Sequence, residues 1–264
     1  MNRATRVTTR NARFQQWEAL LTNRTKRGKT GEFLVHGVRS ITVAAEQDWP
    51  IHHLLYASGR RLSSWAEGML RETRAARVEM APDLLAALAG KDDAELVAVA
   101  ELPPDDLDRI RPGGPVIVFD RPSDPGNIGT VVRSADAFGA SGVIVTGHAA
   151  DVYDPKAVRA STGSLFAVPV VRASSPGEVA SWAHAANLAI IGTDEDGTLD
   201  ISQRDLRGPV LIVIGNETRG MSATWLAACD EVVRIPIGGA ASSLNAASAA
   251  TVLLYEAARQ RSEK

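Results

Sequence analysis

The chain has 264 residues, 45% of them hydrophobic and 23% charged, and no apolar run long enough for a membrane helix. Its one cysteine, Cys229, allows no internal disulfide, and five scattered histidines give no metal-ligand spacing. The default expectation is therefore a cytoplasmic protein with no membrane association and no metal.

The net charge of −2 hides an asymmetry. Arg3, Arg6, Arg10, Arg13, Arg24, Lys26, Arg27 and Lys29 stand against Glu18 alone, so residues 1–29 carry +7 and the remainder −9. Such a start suggests a basic arm for nucleic acid or another anionic surface; a frayed, solvated terminus is the plain alternative. An acid-poor start also resembles a transit peptide, but helical patterning begins by Phe14.

The first half alternates. Phe14, Trp17, Leu20 and Leu21 form the stripe of a helix over 13–22, and FLVHG (33–37) reads as a strand. A helix over 38–46, a strand at HLLYAS (53–58) and a helix over 63–73 capped by Ser63 follow. ARVEM, APDLLAALAG (ending at Gly90) and ELVAVAEL then read as strand, helix and strand. This predicts a small α/β domain over 1–108. PPDD (103–106) and RPGGP (111–115) break the pattern and separate it from a second domain over 113–264.

The second half predicts strands at PVIVFD (115–120), GVIVTG (142–147), VPVV (168–171), LAIIGTD (188–194), PVLIVIGNE (209–217) and EVVRIPI (231–237). Near-continuous aliphatic runs suit parallel strands buried on both faces. An Ala-rich helix over 243–261 closes the chain. Asp124 and Pro125 open a helix whose apolar face is Ile128, Val131, Ala135 and Phe138, and Arg133 points away from it. Open α/β sheets bind ligands beyond the carboxyl ends of their strands. Asp120-Arg121, Thr193-Asp194, Gly215-Asn216-Glu217 and Gly238-Gly239 gather there.

Several motifs fail. RGKTG (27–31) lacks the earlier glycine of a phosphate-binding loop, has no preceding strand, and reads as a basic loop. No G-x-G-x-x-G follows a strand, GASG (139–142) misses the hydrolase elbow, and neither H-E-x-x-H nor C-x-x-C occurs.

Three stretches remain in order: DRPSDPGNIGTVVRSADAFGASGVIV (120–145), IVIGNETRGMS (212–222) and RIPIGGAASSLNAASAATVLLYEA (234–257). Together they closely resemble the three motifs of the SpoU-type (TrmH-like) RNA ribose 2′-O-methyltransferases of the SPOUT superfamily, over essentially all of 115–260. GEFLVHGVRSITVAAE (31–46) is similar to the opening of the ribosomal-protein L30e-like substrate-binding domain that many such enzymes carry. The resemblance implies an α/β fold with a mostly parallel sheet and a trefoil-knotted C-terminal methyltransferase domain. It also implies S-adenosylmethionine as cofactor and a homodimer with the active site at the interface.

By the same resemblance Asn127, Arg133, Glu217, Ser243 and Asn245 are the catalytic candidates. Thr193, Gly215, Asn216, Gly220, Ile235, Ile237, Leu244 and Asn245 are the cofactor-binding ones. Arginine stays protonated, so Arg133 is expected to steady a developing alkoxide and clamp a phosphate. Each candidate has a plainer role: Arg133 a solvated helix residue, Asn127 a turn former, Glu217 a loop brace. Ser243 and Asn245 also suit a helix cap, and Ile235 and Leu244 the core. Relatives usually continue Val-Ser-Val-Ala after Ser-Leu-Asn; here Ala246-Ala247-Ser248-Ala249 follows, which puts any hydroxyl role at position 247 in doubt.

The expected substrate is a structured RNA, ribosomal (23S) ahead of transfer RNA. A non-catalytic RNA-binding or ribosome-assembly protein on the same fold is the second reading. A small-molecule enzyme would lack a cofactor fingerprint and leave the basic start unexplained.

Overall fold

The computed structural model describes residues 5–262; Arg3, part of the basic start, lies outside them. In chain order, β1 (Thr5–Val7), α1 (Ala12–Thr22), α2 (Arg24–Thr30), β2 (Glu32–His36), α3 (Val38–Glu46) and β3 (Ile51–Ala57) come first. They lead to α4 (Ser64–Glu72), β4 (Ala76–Met80), α5 (Pro82–Ala89) and β5 (Leu96–Glu101). Then follow β6 (Val116–Asp120), α6 (Pro125–Ala137), β7 (Gly142–Thr146), α7 (Pro155–Ser161), β8 (Val170–Ala173) and α8 (Pro176–Ala185). The chain ends with β9 (Ala189–Thr193), β10 (Leu199–Asp200), β11 (Val210–Ile214), α9 (Ala223–Ala228), β12 (Glu231–Arg234) and α10 (Ala246–Ser262). Two compact units result: residues 1–103 with 153–167, and residues 104–152 with 168–264.

The first unit is a five-stranded mixed sheet in the order β1-β4-β3-β5-β2. Its core takes Phe14, Trp17 and Leu20 from α1, Leu84, Leu85 and Leu88 from α5, and alternate strand residues such as Leu55, Val78 and Val97. Tyr153 and Phe166 pack on Phe33 at ring separations of 4.8 and 6.2 Å, which ties the segment around α7 to this unit.

The basic start is neither an arm nor a frayed end where it is described. Thr5–Val7 pairs in parallel with β4, because Val7 alternates into the core between exposed neighbours. RGKTG is not a loop. Asn23 caps α2 by accepting from the Lys26 amide (2.9 Å), and Gly31 ends it at φ 68°. The loop reading fails because Arg27 is buried: it donates to the Leu20 carbonyl at the end of α1 and faces Asp154 at 3.9 Å. Its charge sits in the fold while its stem packs.

The second unit is a seven-stranded sheet, β10-β12-β9-β11-β6-β7-β8, with every pairing parallel. β11 lies at its centre, with Leu211 level with Val116 of β6 and Ile190 of β9. β6, β7 and β11 are buried at every residue, as their unbroken aliphatic runs require. α6 presents Ile128, Val131, Val132 and Ala135 inward and packs on α10, where the Ser134 and Thr251 hydroxyls meet at 2.7 Å.

Several boundaries differ from the sequence expectation, and β11 stops at Ile214 rather than Glu217, because the chain turns there. β8 starts at Val170 rather than Val168, since residues 164–166 form a 3-10 turn just ahead. β12 stops at Arg234, because Pro236 removes a ladder donor. α10 starts at Ala246, not 243, because Asn245 is its cap: its Oδ1 accepts from the Ala247 and Ser248 amides at 2.9 and 3.3 Å. Residues 235–245 are therefore a loop.

Candidate active site

The carboxyl end of β6 is held by a buried acid. Asp120 is fully buried; its Oδ2 accepts from the Ser222 amide (2.8 Å) and its Oδ1 from the Thr146 hydroxyl (3.1 Å). Arg121 pairs with it at 2.9 Å and also donates to the Gly220 carbonyl at 3.0 Å. Arg121 adopts φ 50°, an unusual backbone for a non-glycine residue that this double anchorage holds. A paired and hydrogen-bonded buried charge is the tolerable kind. Here it locks β6 to the loop after β11.

That loop, residues 215–220, turns tightly. Asn216 and Gly220 exchange backbone hydrogen bonds of 2.9 and 3.0 Å, and Asn216 Oδ1 accepts from the Thr218 and Arg219 amides, both at 3.0 Å. Asn216 Nδ2 donates to the Arg121 carbonyl at 2.7 Å. A side chain at Gly215 would sit 2.4 Å from Gly220 C and Met221 N, so only glycine closes this turn.

Glu217 projects from the turn to the start of α6. Its oxygens accept from the Ser123 amide (3.0 Å) and hydroxyl (2.9 Å) and from Asn127 Nδ2 (3.0 Å). Partial burial pushes its pKa up, but the hydrogen bonds from Asn127 and Ser123 outweigh this and hold it below the ordinary value. Asn127 Oδ1 accepts in turn from Asn245 Nδ2 at 3.3 Å. One polar chain thus runs from Glu217 through Asn127 to Asn245 and the first turn of α10. It joins three segments separated by 90 and 118 residues.

A cleft of about 420 Å³ opens beside this chain, at the ends of β9, β11 and β12. Of the cofactor candidates, Thr193, Gly215, Asn216, Gly220, Ile235, Ile237 and Leu244 line it; Asn245 does not. Glu217 and Ser243 also line it, whereas Asn127 and Arg133 do not. Arg133 lies on the exposed face of α6, about 9 Å along the helix from Asn127. Thr193 spends its hydroxyl on the Val213 carbonyl (2.9 Å), so it shapes the wall. Ile237 and Leu244 remain 39% and 40% exposed, an apolar pair facing open space.

The sequence places Asp194 with Thr193 at the ligand-binding edge but not among the cofactor candidates, and it leaves out Glu195 and Arg219, which also line the cleft. Asp194 carried a signal, since it follows β9 at the sheet's ligand-binding edge. Arg219 had none, because only the turn geometry brings it to the rim.

A parallel α/β domain with a cleft at its carboxyl edge, built by three ordered loops, defines the class. Residues 114–255 match the SpoU rRNA Methylase family, and residues 11–98 match the SpoU L30e-like domain. The chain belongs to the SpoU rRNA methylase family.

A 23S rRNA (uridine(2479)-2′-O)-methyltransferase of Streptomyces viridochromogenes is 57% identical over 98% of this chain and 93% of that protein. The 23S rRNA (guanosine-2′-O-)-methyltransferase RlmB of Pseudomonas syringae is 32% identical over 79% of this chain and 77% of its own length. Among solved structures, the SpoU methyltransferase AviRb of S. viridochromogenes with AdoMet superposes with TM-score 0.92 at 56% identity, covering 96% of this chain and 99% of that one. An AdoMet-bound rRNA methyltransferase of Sinorhizobium meliloti gives 0.87 at 30%, covering 97% and 98%.

Proposed function

We propose that this protein transfers a methyl group from S-adenosylmethionine to a ribose 2′-hydroxyl of 23S ribosomal RNA. The observation that carries the reading is the polar chain Glu217–Asn127–Asn245 beside a cleft lined by seven of the eight cofactor candidates. The cleft suits the cofactor's parts. Ile235, Ile237 and Leu244 offer apolar surface to a flat base, and the tight 215–220 turn brings backbone close. When bound, the cofactor supplies a methyl group on a sulfonium, which is where the chemical difficulty lies.

The chain's own residues hold and orient. Glu217 and Asn127 fix the start of α6 against the cofactor loop. Arg133, on that helix, steadies the charge that develops on the 2′-oxygen and clamps a neighbouring phosphate. The hydroxyl proton leaves to water.

Because Arg133 stands outside its own chain's cleft, we assign it to the cleft of a second copy in a homodimer. Val252 and Tyr255 of α10 support such an interface: both are exposed, and Tyr255 stands edge-on to Phe138 at 5.9 Å.

The test is Arg133→Ala, in which methyl transfer to 23S rRNA should fall at least about a hundredfold while cofactor affinity stays within about twofold. Mixing it with Gly215→Ala copies should restore part of the activity. Near-normal turnover in Arg133→Ala would sink its role; no recovery on mixing would sink the shared site.

A further inference from the structure

The cleft has a charge imbalance that methyl-group chemistry can use. Its lining includes three carboxylates, Asp194, Glu195 and Glu217, against one guanidinium, Arg219. Glu217 is bonded by neutral donors, so its charge is not cancelled. Asp194 and Glu195 follow β9 and form no ion pair among the described residues.

Asp194 is placed by the fold. Its amide donates to the Val233 carbonyl (3.0 Å) and its Oδ1 accepts from the Asp196 amide (3.1 Å). Oδ2 is left towards the turn, 3.8 Å from where a side chain on Gly220 would begin. One oxygen is structural and the other faces the cleft.

Resting on the reading that this cleft holds S-adenosylmethionine, we propose that the Asp194–Glu195 lip makes it prefer the methyl donor over the spent product. In the transfer, a lone pair of the 2′-oxygen forms the new O–CH3 bond. The S–CH3 bond breaks with its pair returning to sulfur, and the hydroxyl proton leaves. With an amino-acid end that is zwitterionic throughout, the ligand falls from a charge of +1 to neutral S-adenosylhomocysteine. Shape and hydrogen-bonding groups barely change, so a net-negative cleft is the lever that separates the two. The partly buried Asp194 carboxylate attracts the sulfonium more than a water-exposed one would, the exposed Glu195 adds a weaker pull from the rim, and that attraction ends with the methyl transfer. The lip thereby assists product release.

The experiment is calorimetric titration of the full-length protein with S-adenosylmethionine and with S-adenosylhomocysteine. It compares wild type with Asp194→Asn/Glu195→Gln. Asparagine keeps the Oδ1 acceptor for Asp196, so the turn survives while both charges go. The expected result is a loss of about fivefold or more in affinity for the donor, with the product changed by less than about twofold. Equal losses for both ligands, or none, overturn the proposal. If the double variant does not fold, Glu195→Gln alone carries the test, since that side chain is exposed, and should move the ratio in the same direction. Wild type that binds neither ligand would instead refute the cofactor reading, and the lip's role with it.

Discussion

The carboxylate of Glu217 is tied by amide and hydroxyl donors rather than by cations, and this sets how its contribution varies with pH. Its pKa in the folded chain is below the ordinary 4.5. A depressed carboxylate stabilises fully above its unfolded pKa and loses that stabilisation as pH falls through the folded one. Glu217→Gln should therefore melt lower than wild type at pH 7, by an amount on the order of 1 kcal/mol for a half-exposed network. The gap should narrow as pH falls below the ordinary carboxylate value of 4.5 and through the lower folded one. Melting curves from pH 3 to 8 check this, and a gap independent of pH would contradict it. The residue types at 127, 217 and 245 were legible in the sequence, but their mutual bonding was not, since it depends on where two distant loops end. Arg27 was misread for a related reason: a cation in a short polar run gives no sign that its stem is buried.

At the scale of elements, the aliphatic runs and capping residues carried most of the fold. Ser63, Asp124 and Gly90 mark the helix ends where they stand in the sequence. What escaped was decided by tertiary contact. α2 is seven residues of polar sequence held by Asn23 and Arg27, with no apolar stripe to announce it. β12 ends early, so Ile235 and Ile237 pass from an expected strand into the cleft wall. The 215–220 turn is the element on which the cleft most depends. Gly215→Ala places a methyl 2.4 Å from two backbone atoms, so the turn must open. Overpacking of this kind costs about 1–3 kcal/mol. Melting should show that loss, and calorimetry should show cofactor affinity down at least about tenfold; unchanged values for both would mean the turn does not shape the cleft.

For the whole molecule, the second unit's all-parallel sheet follows from its strands, whereas pattern reasoning alone gives no ground to expect a knot, because knots are exceptional. The three-motif resemblance was the source of that expectation. The first unit shows a different limit. Composition announced +7 near the start, but the described part of it is an edge strand of the mixed sheet followed by two helices. The described cations of this stretch thus sit on a folded element, with Lys26 half-buried and Lys29 exposed along α2. The most direct measurement is methylation of protein-free 23S rRNA and of total tRNA with tritiated S-adenosylmethionine, followed by nuclease digestion and mapping of the labelled nucleotide. The expected result is one 2′-O-methylribose in 23S rRNA. Label on a base, label in tRNA alone, or no label would contradict it.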